Sequence, residues 1–334
     1  MVTWTTVTTD DVAARWDAQL LNFADYSVYQ SSRWGRYKHA RGWRPEYFRA
    51  TRDGDVVSMA QVLVKRLPLG MVVAWCPGGP LSELEACSRG SMRQLASLLD
   101  ARMLYCRATL LRSRVPDDEE YLRANGWTRP TRTVSANLTA VWDLRQPQEA
   151  LLAGLNRNWR YSLRQAQKAG LAIEHLKEPP IQELADLCRA MNVSKGVRAS
   201  VEPSDMAALF ETLDDRVVVY GCRNEAGHII AFHSCVIEGT RCWELVAATS
   251  QEGRRAGASF AVLWALVLHC QGLGVTHYDL AGMDPVRAPG VADFKRWTGA
   301  CDVEWLGEWE WCTSSVLRRG VNLAIGARPE AGIP

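Results

Sequence analysis

The same succession of short, turn-bounded segments occurs twice in this chain, and that repetition limits the folds open to it. Residues 46–66 read as strand, turn, strand: Glu46-Tyr47-Phe48-Arg49-Ala50, the polar break Arg52-Asp53-Gly54-Asp55, then the apolar run from Val56 to Val64. Residues 216–238 repeat the order with Val217-Val218-Val219-Tyr220, the break Asn224-Glu225-Ala226-Gly227 and the run from Ile229 to Ile237. Each hairpin leads to a third strand (Met71 to Trp75; Cys242 to Ala247), a helical run (about 90–104; about 257–271) and another strand (Cys106 to Leu111; Thr276 to Leu280). Two β-β-β-α-β copies predict an α/β protein of two tandem units, each a mixed sheet flanked by helices. A length of 334 residues fits two domains of ordinary size, and 47% hydrophobic residues are enough for two packed cores.

Between the copies, Gly126-Trp127 to Leu144 is extended in composition, and a helix is expected from about Pro147 to Ala169, stopped by Gly170. Within that helix Arg157, Arg160, Arg164 and Lys168 fall three or four residues apart on one face, with Leu155, Trp159, Leu163 and Ala166 on the other. No acid interrupts residues 151–170. Such a face is either an ordinary solvated one or a set of phosphate contacts. Lys+Arg 39 against Asp+Glu 37, a net charge of +2, excludes a globally basic nucleic-acid binder, so any contact with RNA has to be local.

Ten cysteines stand singly, without a C-x-x-C pair or matching histidine spacing, so neither a zinc site nor a disulfide framework is expected and the thiols read as small buried hydrophobes. The histidines His39, His175, His228, His233, His269 and His277 show no spacing to a nucleophile or metal partner and read as structural. Met1-Val2-Thr3-Trp4-Thr5-Thr6 lacks the charged and apolar regions of a leader, and no apolar stretch approaches ~18 residues, so the expectation is a cytoplasmic monomer without a membrane span. No coiled-coil heptads occur, and Ala327-Arg328-Pro329-Glu330-Ala331-Gly332-Ile333-Pro334 reads as a frayed end.

The residues most able to carry chemistry lie late in the chain. Tyr278-Asp279-Leu280-Ala281-Gly282-Met283-Asp284-Pro285, followed by Gly290-Val291-Ala292-Asp293-Phe294-Lys295-Arg296, reads as a strand, a Gly-containing turn and a lysine on a turn or helix start. That arrangement presents one cation at the mouth of a sheet. A fixed ammonium beside an acyl carbonyl stabilises the oxyanion that exists only in the transition state. Asp279 is a candidate base, set against the commoner role of a strand-end acid in bonding loop amides. Upstream, Gln251-Glu252-Gly253-Arg254-Arg255-Ala256-Gly257-Ala258 approaches the R/Q-x-x-G-x-G/A loop of GNAT acyltransferases, whose amides at a helix start bind the pyrophosphate of acyl-CoA. Arg254 and Gly257 fit it, while Ser259 stands where the last small residue belongs.

Several anchors in order resemble the Fem-type aminoacyltransferases, a GNAT-related family that uses aminoacyl-tRNA to add residues to peptidoglycan peptides. Ser31-Ser32-Arg33-Trp34-Gly35-Arg36-Tyr37-Lys38 is similar to the S-x-x-W-x-x-x-K helix, and Pro77-Gly78-Gly79-Pro80 to the P-x-G-P turn. Thr139, Asp143 and Leu144 match T-x-x-x-D-L, Arg160 to Gly170 resembles R-x-N-I-R-K-A-E-K-x-G, and Tyr278 to Lys295 resembles YD-small-G…FK. The chain departs from the pattern at Ser162, Gln165 and Gln167, at Leu280-Ala281-Gly282, and at Arg112-Ser113-Arg114-Val115-Pro116, where relatives carry Asp-Pro.

The resemblance implies two tandem GNAT-like domains: residues 1–145 with 315–334 binding the acceptor, a C-terminal helix returning to that first domain, and 146–314 facing aminoacyl-tRNA. It implies that Lys295, paired with Phe294, contacts the ester or the terminal tRNA phosphate. Arg157, Arg160, Arg164 and Lys168 would hold tRNA; Lys38, Trp34, Lys195 and Arg198 would hold the acceptor. No cofactor is expected beyond aminoacyl-tRNA as co-substrate, carrying alanine, serine or glycine. The acceptor is a UDP- or lipid-linked muropeptide or a peptidyl intermediate of a nucleoside antibiotic, carrier-bound or free. An acyl-CoA-dependent N-acyltransferase using the 251–258 loop and a non-catalytic binding module are the competing readings.

Overall fold

A computed structural model describes residues 2–194 and 201–326, which divide into two compact units. One takes in the chain up to Asn137 and the stretch from Glu304, ending in the helix Ser315–Gly326; the other takes in Leu138–Val303. In chain order the strands are β1 (Thr3–Thr6), β2 (Arg44–Arg52), β3 (Asp55–Leu67), β4 (Met71–Pro77), β5 (Met103–Ser113), β6 (Leu138–Asp143), β7 (Ala172–His175), β8 (Val217–Arg223), β9 (Ile229–Glu238), β10 (Arg241–Thr249), β11 (His277–Gly282) and β12 (Cys301–Cys312).

The two sheets are built alike. In the first unit β1, β2, β3 and β4 pair antiparallel in succession, β4 pairs parallel with β5, and β12 closes the series antiparallel to β5. In the second, β7, β8, β9 and β10 pair antiparallel, β10 pairs parallel with β11, and β6 closes antiparallel to β11. A parallel pair needs a crossover. The helices Arg89–Leu98 and Ala258–Gly272 supply it, one in each unit. The expected tandem β-β-β-α-β folds are therefore present.

Local chemistry sets these elements. Asp53 and Gly54 both have positive φ (53° and 94°), the conformation a two-residue hairpin loop requires between β2 and β3. Strand β9 is buried almost throughout, because the helices Ala258–Gly272 and Ile181–Ser194 both pack on it. Tryptophans anchor both cores: Trp4, Trp127 and Trp309 in the first, Trp142, Trp159 and Trp264 in the second.

One expected helix is two. Gln148–Gly154 and Arg157–Lys168 are separated by Leu155 and Asn156, both extended (ψ 142° and 151°). Leu155 is buried, and Asn156 caps the second helix by accepting from the Asn158 amide at 2.9 Å. Gly170 closes that helix at φ 63°, as expected. Among the described residues, no helix is long and apolar enough to cross a membrane.

Candidate active site

The end of β11 is bulged. Asp279 faces Val141 and Gly282 faces Thr139, so β11 spends one residue more than β6 over the same span. Ala281, at φ 62°, is the residue that absorbs the extra length. Asp279 fastens the bulge, its Oδ1 accepting from the Thr139 hydroxyl at 2.5 Å and from the Ala281 amide at 2.9 Å. The carbonyls of Ala281 and Gly282 meet Lys295 Nζ at 3.2 and 2.9 Å, reached from the last turn of the helix Pro289–Arg296.

Lys295 is thus not displayed at a sheet mouth; its residue is 8% exposed. An ammonium carries three hydrogens, and two go to these carbonyls. Among the described residues the third meets no hydrogen-bond acceptor. Burial pushes Lys295 below the ordinary lysine range, while the carboxylates of Glu244 and Asp279 pull it back up. Burial likewise pushes Asp279 up, against its hydrogen bonds from Thr139 and Ala281 and the charge of Lys295.

Phe294 joins an aromatic cluster: its centroid lies 6.0 Å from Trp159, 5.1 Å from Phe260 and 6.1 Å from His233, the last stacked nearly parallel at 15°. His233 Nδ1 lies 2.5 Å from Glu244 Oε1 and Nε2 lies 2.8 Å from Ser259 Oγ. The spacing along the chain does not announce this trio. Antiparallel pairing of β9 with β10 brings His233 and Glu244 together across a second bulge, between Glu244 and Ala247. The crossover helix adds Ser259 from its first turn. The signal that was available is the hairpin register together with a polar residue at the start of an otherwise apolar helix.

Residues 155–296 match the acetyltransferase (GNAT) domain family. Among solved structures, that of FemX aligns with 96% of this chain and 100% of its own at 16% identity and a TM-score of 0.80. The chain has a tandem GNAT fold. A tandem GNAT protein of the clavulanic acid pathway aligns with 94% of this chain and 99% of its own (14% identity, TM-score 0.55). The C-terminal domain of a putative lysylphosphatidylglycerol synthetase from Agrobacterium fabrum does so over 93% and 96% (13% identity, TM-score 0.53). No curated protein matches by sequence.

The second GNAT unit sorts its remaining candidates. Arg157, Arg164 and Lys168 are exposed on the helix Arg157–Lys168, opposite buried Trp159, Leu163 and Ala166. Arg160 is committed elsewhere: its Nη1 donates to the carbonyls of Ala153 and Leu155 at 2.6 and 2.5 Å, closing the end of the preceding helix. Within 251–258, Ser250 caps the short helix Gln251–Ala256 and Gly257, at φ 68°, turns into the crossover helix. Gly253 admits no side chain, since a Cβ there would lie 2.3 Å from the Ile230 carbonyl oxygen. The singly spaced Cys235, Cys242 and Cys270 converge with all three sulfurs within 4.8 Å of one another in the dry core.

In the first GNAT unit Lys38 is buried, its Nζ 4.7, 5.0 and 5.4 Å from the ring centroids of Trp34, Tyr37 and Trp75. Trp34 is buried too, edge-on to Tyr29 at 4.9 Å. Lys38 and Trp34, expected to hold the acceptor, are thus packed as a cation against aromatic faces. Lys195 and Arg198 lie outside the described residues.

Proposed function

We propose that the protein transfers an aminoacyl group from an aminoacyl-tRNA ester to an amine of a peptidic acceptor. The observation that carries this is Lys295, an ammonium fixed by two backbone carbonyls in a dehydrated setting with one hydrogen left over. Attack on an ester carbonyl creates an oxyanion, and a donor already in place stabilises it without reorganisation at the moment of reaction. Low local polarity strengthens that interaction. The Phe294-Lys295 pair at the end of the Fem-type motif series and the fold match to FemX over nearly the whole chain support the donor class. The amino acid is alanine, serine or glycine, and the acceptor is a muropeptide precursor or an antibiotic peptide. Lys38 and Trp34, with Lys195 and Arg198, serve the acceptor side in this reading.

Radiolabelled alanyl-, seryl- and glycyl-tRNA incubated with the protein and UDP-linked muropeptide or free peptide acceptors test it. Transfer that disappears on ribonuclease treatment is the expected result. The GNAT domain match and the 251–258 turn favour a second reading, acyl-CoA-dependent N-acylation. Ribonuclease-resistant transfer from labelled acetyl-CoA would decide for it.

The exposed basic face predicts a binding defect separate from chemistry. Exchanging Arg157 and Arg164 for Glu should raise KM for charged tRNA about tenfold, leave kcat unchanged, and reduce the slope of log affinity against log salt by about 1.5. Arg160→Ala should instead lower folding stability by about 1 kcal/mol through the lost helix-end bonds. Filter binding across a salt series and urea titration separate the two.

A further inference from the structure

We propose that Ser259, His233 and Glu244 form a proton relay that takes the proton of the attacking amine and returns it to the leaving group. The inference rests on the acyl-transfer reading above. It holds for either donor, because an ester and a thioester both need a neutral nucleophile and a protonated leaving group.

The polarity of the trio follows from its partners. A carboxylate only accepts, so His233 presents N–H at Nδ1 to Glu244, which leaves Nε2 as the acceptor for the Ser259 hydroxyl. His233 and Glu244 are 4% and 7% exposed, whereas Ser259 is only partly buried and forms the outer end. Burying an imidazole and a carboxylate is costly unless they are paired, and here a strand bulge is spent on bringing them together. The trio also adjoins the candidate lysine. Phe294 stacks on His233, Lys295 is the next residue, and the charge of Glu244 acts on Lys295. Asp279, thiols of the cysteine cluster and the Tyr278 hydroxyl are the other titratable groups acting with Glu244 around this point.

The step balances without an outside reagent. The amine nitrogen forms the new C–N bond and the carbonyl electrons move to the oxygen facing Lys295. One N–H proton passes to Ser259 Oγ as that hydroxyl gives its own to His233 Nε2, and Glu244 holds the imidazolium. The acyl C–O bond then breaks, its electron pair leaves on the ribose oxygen, and that oxygen takes the proton back along the same path. With acyl-CoA the bond is C–S and the sulfur takes the proton.

Ser259→Ala is the main test because it removes one half-buried hydroxyl and disturbs packing little. With labelled aminoacyl-tRNA and muropeptide, or with labelled acetyl-CoA, it should lose about a hundredfold in kcat with KM within about twofold. Ser259→Thr, which keeps a hydroxyl, should recover most of that loss. His233→Gln should lose at least as much. Wild-type transfer from acetyl-CoA alone would overturn the donor assignment, yet the same variant ratios would still judge the relay. Unchanged kcat in folded Ser259→Ala and His233→Gln would overturn it. So would an intact-mass increment of one acyl group on wild type that is lost in Ser259→Ala, which would make Ser259 a nucleophile.

Discussion

Replacing Lys295 with methionine should lower kcat by roughly two to three orders of magnitude, the loss typical of removing one oxyanion donor, with little change in KM. The donor's value lies in the transition state, where the acyl oxygen is charged, so ground-state binding barely feels its loss. The variant also leaves the Ala281 and Gly282 carbonyls without their ammonium, at a cost of about 1–3 kcal/mol. Urea titration must therefore accompany the kinetics, and a folded variant that turns over within several-fold of wild type would remove Lys295 from the chemistry. Burial adds a pH signature. Because the native lysine releases its proton below the usual 10.5, activity should fail on the alkaline side before an ordinary lysine would deprotonate. Between that lowered native value and 10.5 the unfolded chain binds more protons, so the same group makes stability rise with pH across the window in which activity falls.

The parts of the fold that were legible follow from periodicity acting over short distances. The β2–β3 hairpin announces itself through Asp53-Gly54, and the crossover helices through apolar runs between strands. Strand β12 was hidden because it carries Glu308 and Glu310 in its buried stretch, a pattern that reads as amphipathic loop until partners are known. Those partners are remote. Arg107 pairs with Glu308 at 3.2 Å, and the Tyr105 hydroxyl donates to Glu310 at 2.8 Å, both from β5. The break at Leu155-Asn156 was likewise invisible to helical spacing, since the apolar series Leu151, Leu155, Trp159 and Leu163, four residues apart, continues across it.

The site was half legible for a related reason. Phe294, Lys295 and Asp279 sit in one compact stretch, and the structure does gather them, although the bulge at Ala281 buries the lysine that the spacing had placed at the surface. On the sequence, His233 looked structural because its two partners come from a neighbouring strand and a later helix. Arg160 shows the converse. It shares a face with Arg157 and Arg164, yet backbone carbonyls at the end of the preceding helix claim it. Side-chain spacing gives direction along one element; it does not reveal which cation already has a partner.

Glu119→Gln should destabilise the first unit by about 3 kcal/mol at neutral pH, and the difference should vanish in acid. Glu119 sits in the first turn of the helix Pro116–Ala124, 6% exposed, and receives Arg114 at 2.6 Å, Arg123 at 2.5 Å and Arg129 at 2.8 Å. Burial alone would raise its carboxyl; the three guanidinium groups outweigh it and hold the group at about 2 instead of 4.5. That separation corresponds to about 3 kcal/mol. A depressed carboxyl contributes its full share above pH 4.5 and loses it as the pH falls toward 2, because the unfolded chain takes up the proton first. Glutamine cannot ionise, so its stability lacks this acid-dependent component. The charge also matters structurally, since Arg129 goes on to bond the Leu306 and Glu308 carbonyls and lies 4.0 Å above the Trp309 ring, tying the segment after the helix to β12. Urea unfolding of both proteins at several pH values should show a gap that is widest above pH 4.5 and closes near pH 2. Other carboxylates cancel in the difference, so a gap that stays constant down to pH 2 would mean that Glu119 acts by packing and not by charge.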